Sequence, residues 1–171
     1  MIIGITGKSG HGKDEIAKHL ESKGFIHIKF SKGVKQATMA MFGLTWEQVS
    51  EGDRSEVIES YGKSVRYLLQ MVGTEWGRRF NKDIWVDRVE DMTQDNNLNY
   101  VISDVRFNNE ADICTHIIKV MRPEYDGKCE DHESEDGIDV MYLDDVIINN
   151  GTIEDLVEKT EYAIDRLKRY R

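Results

Sequence analysis

A glycine-rich segment at residues 7–14 constrains the fold of this chain more than any other feature of its sequence. It reads GKSGHGKD and meets the spacing G-x-x-x-x-G-K, in which the glycines let backbone N–H groups surround an anion. It follows the apolar run at residues 1–6 and precedes an amphipathic stretch at residues 15–20. This order of strand, turn and helix is the context of a phosphate-binding loop, and the helix N-terminus adds positive potential. The alternative is a glycine-rich turn that enters a helix without binding a ligand.

Two residues of this loop carry the chemistry. Lys13 provides a positive charge for the β- and γ-phosphates of a nucleoside triphosphate. Asp14 stands where a serine or threonine usually contacts Mg²⁺, and a carboxylate is also an Mg²⁺ ligand that suits the first turn of a helix. His11 is interpreted as incidental rather than as a catalytic base. The loop residues expected to bind ATP are Gly7, Lys8, Ser9, Gly10, His11, Gly12, Lys13 and Asp14.

The composition of the 171-residue chain narrows the class of protein. The formal net charge is -9, and an acidic chain lacks the basic footprint of non-specific nucleic-acid binding, so we expect no direct contact with nucleic acid. No apolar run approaches membrane-spanning length and no basic leader precedes the first strand, which predicts a cytoplasmic protein without membrane contact. Cys114 and Cys129 lack a metal-type spacing and are interpreted as reduced thiols. The length fits one domain.

Strand-like and helix-like segments alternate along the chain, which predicts a three-layer α/β fold with a five-stranded parallel sheet. Gly24 is expected to end the first helix, and Thr152 with Asp155 resembles a capping box that opens the last one. Residues 51–60 are acidic and polar and are interpreted as a loop or a short helix. The predicted strands cover residues 2–6, 26–30, 100–103, 117–121 and 146–148, and the predicted helices cover residues 12–22, 32–42, 62–80, 83–92, 108–114 and 152–169.

The predicted helix at residues 62–80 carries a stripe of apolar residues at helical spacing. Glycines cost stability inside a helix, so Gly73 and Gly77 indicate close approach by another backbone or a ligand, with close helix packing as the alternative. Trp85, at the start of the next helix, is either a core residue or a contact for a base. The residues of the stripe, all expected to be buried, are Val65, Leu68, Leu69, Val72, Trp76 and Phe80.

A second charged cluster follows the predicted strand at residues 100–103. Asp104 lies where a carboxylate that orients Mg²⁺ is expected, and Arg106 could clamp a transferring phosphoryl group. The alternative is that Asp104 caps the next helix and that Arg106 is a surface charge. Residues 123–140 are acidic and poor in pattern, so we expect a loop or lid there.

Taken together and in order, six sequence blocks resemble the bacteriophage deoxynucleoside monophosphate kinases. The resemblance implies the nucleoside monophosphate kinase fold with a lid, and transfer of the ATP γ-phosphoryl to a deoxynucleoside monophosphate (dNMP) with Mg²⁺. It also implies a monomer or homodimer in the host cytoplasm, acting on small-molecule substrates to supply DNA precursors. The blocks are GKD at 12–14, RxxLQxxGTExxR at 66–78, DxWV at 83–86, DVRFxNE at 104–110, HxSE at 132–135 and IxNGT at 148–152.

The resemblance also assigns roles to individual residues. It makes Lys13, Asp104 and Arg106 catalytic, with Asp14 and Asp104 at Mg²⁺. The ATP site gains Arg122, Asn150, Gly151 and Thr152. The acceptor-site helices span about residues 32–95, and the residues implied to bind the monophosphate are Arg66, Gln70, Thr74, Arg79, Trp85, Arg106, His132 and Glu135.

Three other functions stay open. One is a small-metabolite kinase of the same fold, acting for example on dephospho-coenzyme A or shikimate. The second is a regulatory NTPase, although the N-K-x-D base motif of GTPases is absent. The third is a non-catalytic nucleotide-binding module, against which the presence of Lys13 and Asp104 argues.

Overall fold

The computed structural model describes residues 1–123, 125 and 137–169. The chain forms two compact units, of which unit 1 comprises Met1–Ile28 and Met92–Arg171, and unit 2 comprises Lys29–Asp91. The strands are β1 (Ile2–Thr6), β2 (Ile26–Ile28), β3 (Val57–Ile58), β4 (Lys63–Ser64), β5 (Tyr100–Ile102), β6 (His116–Met121) and β7 (Asp145–Ile148). The helices are α1 (Lys13–Ser22), α2 (Phe30–Phe42), α3 (Trp46–Ser50), α4 (Val65–Gln70), α5 (Ile84–Met92), α6 (Asn108–Ala111) and α7 (Ile153–Arg169). A π-helix spans Met71–Arg78, and a 3₁₀ turn spans Val140–Tyr142.

Unit 1 is built on a five-stranded sheet in the order β2-β5-β1-β6-β7. Every neighbouring pair in it is parallel, which confirms the predicted fold class. β1 lies at the centre, pairing Ile2 with Tyr100 of β5 and Ile3 with His116 of β6. The interior strands of this sheet are apolar because both faces of the sheet are covered, as in parallel sheets generally.

The core of unit 1 joins the sheet to α1 and α7. Ile16 and Leu20 of α1 and Leu156 and Ile164 of α7 are buried in one apolar cluster with the strands. On Gly4 of β1, a Cβ atom would meet Ile117 of β6 and the side chains of Cys114 and Val105 from the segment between β5 and β6, so this segment packs closely against the strand. Cys114 belongs to that segment, and burial raises the pKa of its thiol to about 12, so the thiol stays protonated at neutral pH. Cys129 lies outside the described residues.

Helix boundaries follow local sequence signals. Gly24 ends α1 in a left-handed conformation with φ of 90°, and its N–H donates to the Glu21 carbonyl at 2.9 Å. The capping box of α7 is present, since Thr152 N–H donates to Asp155 and Asp155 N–H donates to the Thr152 hydroxyl. Strand 2 is shorter than predicted because Phe30 already belongs to the buried first turn of α2.

Unit 2 contains α2, α3, α4, the π-helix and α5, together with a small hairpin. The prediction of a loop or short helix at residues 51–60 is wrong in part, because β3 and β4 pair in antiparallel fashion with Val57 opposite Ser64. Part of the core of this unit is the buried cluster of Leu44, Val49, Val65 and Leu68.

The predicted helix at residues 62–80 changes type at Met71. Val65, Leu68 and Val72 are buried as expected, but Trp76 is 62% exposed and Phe80 is 87% exposed, so the prediction that these two are buried is wrong. Hydrogen bonds from i to i+5 in a π-helix place more residues in each turn than an α-helix holds. A stripe spaced for an α-helix therefore rotates away from the core beyond Val72.

Close packing explains the two glycines of the π-helix. A Cβ atom on Gly77 would lie 2.5 Å from the Val72 carbonyl oxygen and 3.0 Å from Cζ2 of Trp85. A Cβ atom on Gly73 would lie 3.1 Å from a Val34 methyl group. The buried Trp85 indole donates from Nε1 to the Gly73 carbonyl at 2.8 Å. The sequence left open whether these glycines allow close approach of a ligand or close helix packing, and the contacts support close packing within the protein.

We predict that Gly77→Ala lowers the free energy of unfolding by about 1–3 kcal/mol, because the new methyl group meets a backbone carbonyl that cannot move alone. Gly73→Ala is the matched control. Its neighbour is a side chain that can shift, and alanine is favoured over glycine in helices by about 1 kcal/mol, so its stability should stay within about 1 kcal/mol of wild type. Urea denaturation of the three proteins measures both values, and equal stability of the two variants would contradict the packing argument.

Candidate active site

The candidate active site lies at the carboxyl edge of the parallel sheet, where ligands bind in folds of this class. The glycine-rich loop follows β1, Asp104 follows β5, Arg122 follows β6, and the turn at Asn150 follows β7. The sheet thus brings to one edge of unit 1 most of the residues predicted to bind ATP and Mg²⁺.

At three positions of the loop between β1 and α1, the backbone has a conformation that only glycine adopts without strain. Gly7, Gly10 and Gly12 have φ angles of 140°, 78° and 101°. Gly7 also passes so close to the carbonyl of Val120 in β6 that a Cβ atom would collide with it. The loop is therefore tightly curved, as the phosphate-binding motif predicts.

His11 anchors the loop to β6 and to the chain that follows it. Its ring is buried, with Nδ1 3.1 Å from the Val120 carbonyl oxygen and Nε2 3.3 Å from the Tyr125 carbonyl oxygen. The His11 side chain therefore has a structural part in holding the loop, and the interpretation that it is not a catalytic base stays a prediction. The imidazole lies against backbone carbonyls of the protein, and the backbone N–H of His11 donates to the Lys8 carbonyl at 3.3 Å.

Asn149 holds the same loop from the end of β7. Its side-chain amide donates to the His11 carbonyl at 2.9 Å. The same amide nitrogen lies so close to Gly12 that a Cβ atom on that residue would collide with it. The adjoining turn is fixed by Lys159, whose ammonium donates to the Ile148 carbonyl at 2.8 Å and to the Asn150 side chain at 2.7 Å.

The Lys13 ammonium lies against the backbone of its own loop. It donates to the carbonyl of Gly7 at 2.6 Å and to that of Lys8 at 2.8 Å. These contacts keep the positive charge beside the N–H groups of the loop. The arrangement concentrates positive potential where an anionic ligand would bind.

Asp14 is linked to β5 through a hydroxyl group. Ser103, which is 1% exposed and directly precedes Asp104, donates from Oγ to Oδ1 of Asp14 at 2.9 Å. The carboxylate of the loop and the chain leading into Asp104 therefore meet at the sheet edge. Among the described residues, no group of three or more metal-ligating side chains of His, Cys, Asp or Glu is present.

The chain after β5 is pinned by a buried carboxylate. Glu110 is 3% exposed, and its Oε2 accepts from the backbone N–H of Arg106 at 2.7 Å and of Phe107 at 3.2 Å. The first turn of α6 begins at Asn108 and follows Phe107, so Asp104 does not cap this helix. The capping alternative for Asp104 is thereby excluded.

Arg122 and Tyr125 lie beside the loop. The Arg122 guanidinium is 5.4 Å from the centroid of the Tyr125 ring. That ring sits against Gly10, where it would collide with a Cβ atom. His132 and Glu135, which were predicted to bind substrate, lie outside the described residues, as does most of the predicted lid.

The other residues predicted to bind the acceptor belong to unit 2. Arg66 and Gln70 are half-buried and one turn apart on α4, so they share a face of that helix. Thr74 is half-buried in the π-helix, and Arg79, just beyond it, is exposed. Trp85 is 8% exposed and its indole N–H is bonded to Gly73. The sequence left open whether Trp85 is a core residue or a contact for a base, and these contacts support the core residue.

Four residues near the loop were not predicted from the sequence. Ser103 and Asn149 each adjoin a predicted site residue at a strand end, and this adjacency is the signal that could have found them. His27 and Tyr125 carry no such signal, because their contacts join segments that are distant in the chain. The contact pairs are His27 with Ser103, Ser103 with Asp14, Asn149 with His11, and Tyr125 with Gly10 and His11.

The sequence matches the deoxynucleotide monophosphate kinase family over residues 45–160, more than half of the chain. This chain belongs to that family. A protein of Acanthamoeba polyphaga mimivirus named "Putative deoxynucleotide monophosphate kinase" is 31% identical over 189 aligned positions, which cover 96% of each chain. Members of the family are phosphotransferases that act on small molecules, with ATP as the implied phosphate donor.

Solved structures support the fold alone. The dephospho-CoA kinase of Campylobacter jejuni superposes with a TM-score of 0.54 at 13% identity, covering 97% of this chain and 96% of its own. The Thermus thermophilus protein TT1252 gives a TM-score of 0.54 at 17% identity, with 98% and 97% covered. Within the described residues, no helix is long and apolar enough to cross a membrane.

We predict that Lys13→Ala lowers the rate of phosphoryl transfer by about 10²–10³-fold, the range for loss of one electrostatic group at a reacting centre. The fold should survive, because Lys13 is a half-buried polar residue at the start of α1 and is not part of the apolar core cluster of unit 1. Steady-state rates and thermal melting measure the two effects. Lys18→Ala is the control, since Lys18 lies on the same helix and pairs with Glu15 on the surface. Near-wild-type turnover in folded Lys13→Ala would contradict a phosphate-binding role for the loop.

Proposed function

We propose that this chain transfers the γ-phosphoryl group of ATP to a deoxynucleoside monophosphate, giving the diphosphate and ADP. The observation that carries the proposal is the convergence of Lys13, Asp14 and the Asp104–Arg106 segment at one sheet edge in a member of this family. The proposal includes a bacteriophage origin, a cytoplasmic location, a monomer or homodimer, and no direct contact with nucleic acid.

The donor side of the proposal rests on the loop. ATP phosphates would accept from the loop N–H groups, and Lys13 would exchange its two carbonyl partners for β- and γ-phosphate oxygens. Asn150, Gly151 and Thr152 would border the adenine, and Arg122 would approach the phosphates or the base. The support is that the turn at Asn150 and the loop are fixed to each other through Asn149.

The residues at the sheet edge fit a magnesium ion. Mg²⁺ is usually held by one or two carboxylates plus substrate phosphates rather than by a full cage of protein ligands. Asp14 and Asp104 would supply oxygen ligands of this kind. When bound, the ion would neutralise the charge of the phosphates, and this chain's own part is to orient the two carboxylates.

The acceptor side of the proposal rests on unit 2. Arg66 and Gln70 present a guanidinium and an amide from one face of α4, which suits a monophosphate dianion. Arg79 and Thr74 would add donors, and Arg106 of unit 1 would contact the group being transferred. We assign Trp85 a supporting role, since its indole holds the π-helix rather than a base.

One assay separates this function from its alternatives. The protein is mixed with ATP and Mg²⁺, and ADP is followed with each dNMP, each ribonucleoside monophosphate, dephospho-coenzyme A, shikimate or no acceptor. ADP release that requires a dNMP supports the proposal. Release only with dephospho-coenzyme A or shikimate would indicate a small-metabolite kinase, release without acceptor would indicate an NTPase, and binding without release would indicate a non-catalytic module.

We predict that Arg66→Ala lowers kcat/KM for the dNMP by an amount equivalent to about 2–3 kcal/mol, the scale of a charge-assisted hydrogen bond. ATP affinity should change little, because ATP phosphates are assigned to the loop of unit 1. Arg88→Ala is the matched control, since Arg88 is an exposed arginine of unit 2 that bonds to Gln36. Equal losses for ATP and dNMP, or no loss for either, would remove the acceptor role of α4.

We predict that Asp104→Asn lowers kcat more than it raises the KM for the dNMP, because a carboxylate that orients Mg²⁺ acts on transfer rather than on acceptor binding. The exposed Asp112, also located after β5, provides the control Asp112→Asn. Kinetics at saturating Mg²⁺ and ATP separate the two constants. A rise in dNMP KM at unchanged kcat would reassign Asp104 to acceptor binding.

A further inference from the structure

A chain of polar side chains lies behind Asp14 within unit 1. The Ser103 hydroxyl donates to Asp14 at 2.9 Å, and Nε2 of His27 lies 2.8 Å from the same hydroxyl oxygen. On the far side of the ring, Nδ1 of His27 is 3.4 Å from a carboxylate oxygen of Glu21. The chain thus joins α1, β2 and the end of β5 in the order Glu21, His27, Ser103, Asp14.

The donors and acceptors of this chain have a defined direction. A carboxylate can only accept, so the single hydroxyl hydrogen of Ser103 points at Asp14. The Ser103 oxygen is then an acceptor toward His27, which places a hydrogen on Nε2 of the imidazole. His27 and Ser103 therefore each donate toward Asp14, and the orientation of the hydroxyl is set by the histidine behind it.

Burial makes this orientation specific. Ser103 is 1% exposed, so its hydroxyl cannot turn to solvent and is paired with His27 and Asp14 instead. Asp14 is exposed, and an exposed carboxylate in the first turn of a helix has several rotamers open to it. The bond from Ser103, at a buried strand end, favours one of them.

The structure assigns to Ser103 and His27 the role of positioning residues that hold the Asp14 carboxylate for the Mg²⁺-nucleotide. In P-loop enzymes the loop usually supplies a hydroxyl and a neighbouring strand supplies a carboxylate. In this chain the loop supplies the carboxylate Asp14, and the hydroxyl that orients it comes from the neighbouring strand. The inference rests on the proposed function in one respect, namely that Asp14 faces the metal-bound nucleotide.

The test measures binding of ADP in the presence of Mg²⁺ and in the presence of EDTA by titration calorimetry. Groups that orient a metal ligand typically change metal affinity by about 10–100-fold when removed. We expect Ser103→Ala to weaken Mg²⁺-dependent ADP binding by at least about 10-fold while binding in EDTA changes less than about twofold. Equal loss in both conditions would mean that Ser103 only supports the fold of the loop and would overturn the inference.

Conservative variants at His27 separate positioning from packing. In His27→Gln the side-chain amide can place an N–H near the position of Nε2, whereas His27→Leu keeps bulk but has no donor. We expect His27→Gln to retain the Mg²⁺ dependence of ADP binding and His27→Leu to lose it. Equal impairment of the two variants, or none in either, would overturn the role of the histidine. His27 is partly exposed, so these variants test the chain without emptying the core.

A double-mutant cycle shows whether the effect passes through Asp14. If Ser103 acts only by orienting that carboxylate, Ser103→Ala should add nothing in an Asp14→Ala background, and His27→Leu should add nothing to Ser103→Ala. Additive losses would overturn the inference. The binding assay needs no acceptor, so a failure of dNMP phosphorylation would remove the proposed function and leave this result intact.

Discussion

Contacts with the ends of neighbouring strands hold the glycine-rich loop in its observed conformation. Gly7 runs against the Val120 carbonyl of β6, the His11 ring bonds the same carbonyl, and Asn149 at the end of β7 bonds the His11 carbonyl. A loop of N–H groups that point inward is costly to form without such support, because each polar group must be paired or solvated. The placement of Lys13 and Asp14 depends on these contacts, since both lie at the end of the loop where α1 begins.

Local signals predicted the fold of unit 1 well. Alternation of apolar strands and amphipathic helices, glycines after helices and the capping box at Thr152 are all short-range patterns, and the structure confirms them. Unit 2 was predicted less well because its geometry departs from the α-helical period. The π-helix turned Trp76 and Phe80 outward, and a two-residue hairpin such as Val57 with Ser64 is too short to leave a period in the sequence.

Sequence motifs located the residues of the candidate site that directly follow strands. They did not locate the residues that hold those site residues in place. The positions of Lys13 and Asp104 follow from spacing alone. The contacts of Ser103 with Asp14 and with His27 depend on the order in which the strands lie, which brings together residues 89 and 76 positions apart in the chain. An isolated histidine on a short strand gives no warning of such a contact, since surface and core histidines look alike in sequence.

The central position of β1 has a consequence for the order in which the protein can assemble during its synthesis. Ile2 pairs with Tyr100 and Ile3 with His116, so the strand that leads into the loop has no partner until residues far along the chain emerge. At translation rates of about 5–20 residues per second, this apolar strand waits roughly 5–20 s. Unit 2 is one contiguous segment, Lys29–Asp91, and its own contacts can form within that interval. The nascent chain therefore contains an unpaired apolar strand during the interval in which unit 2 can fold.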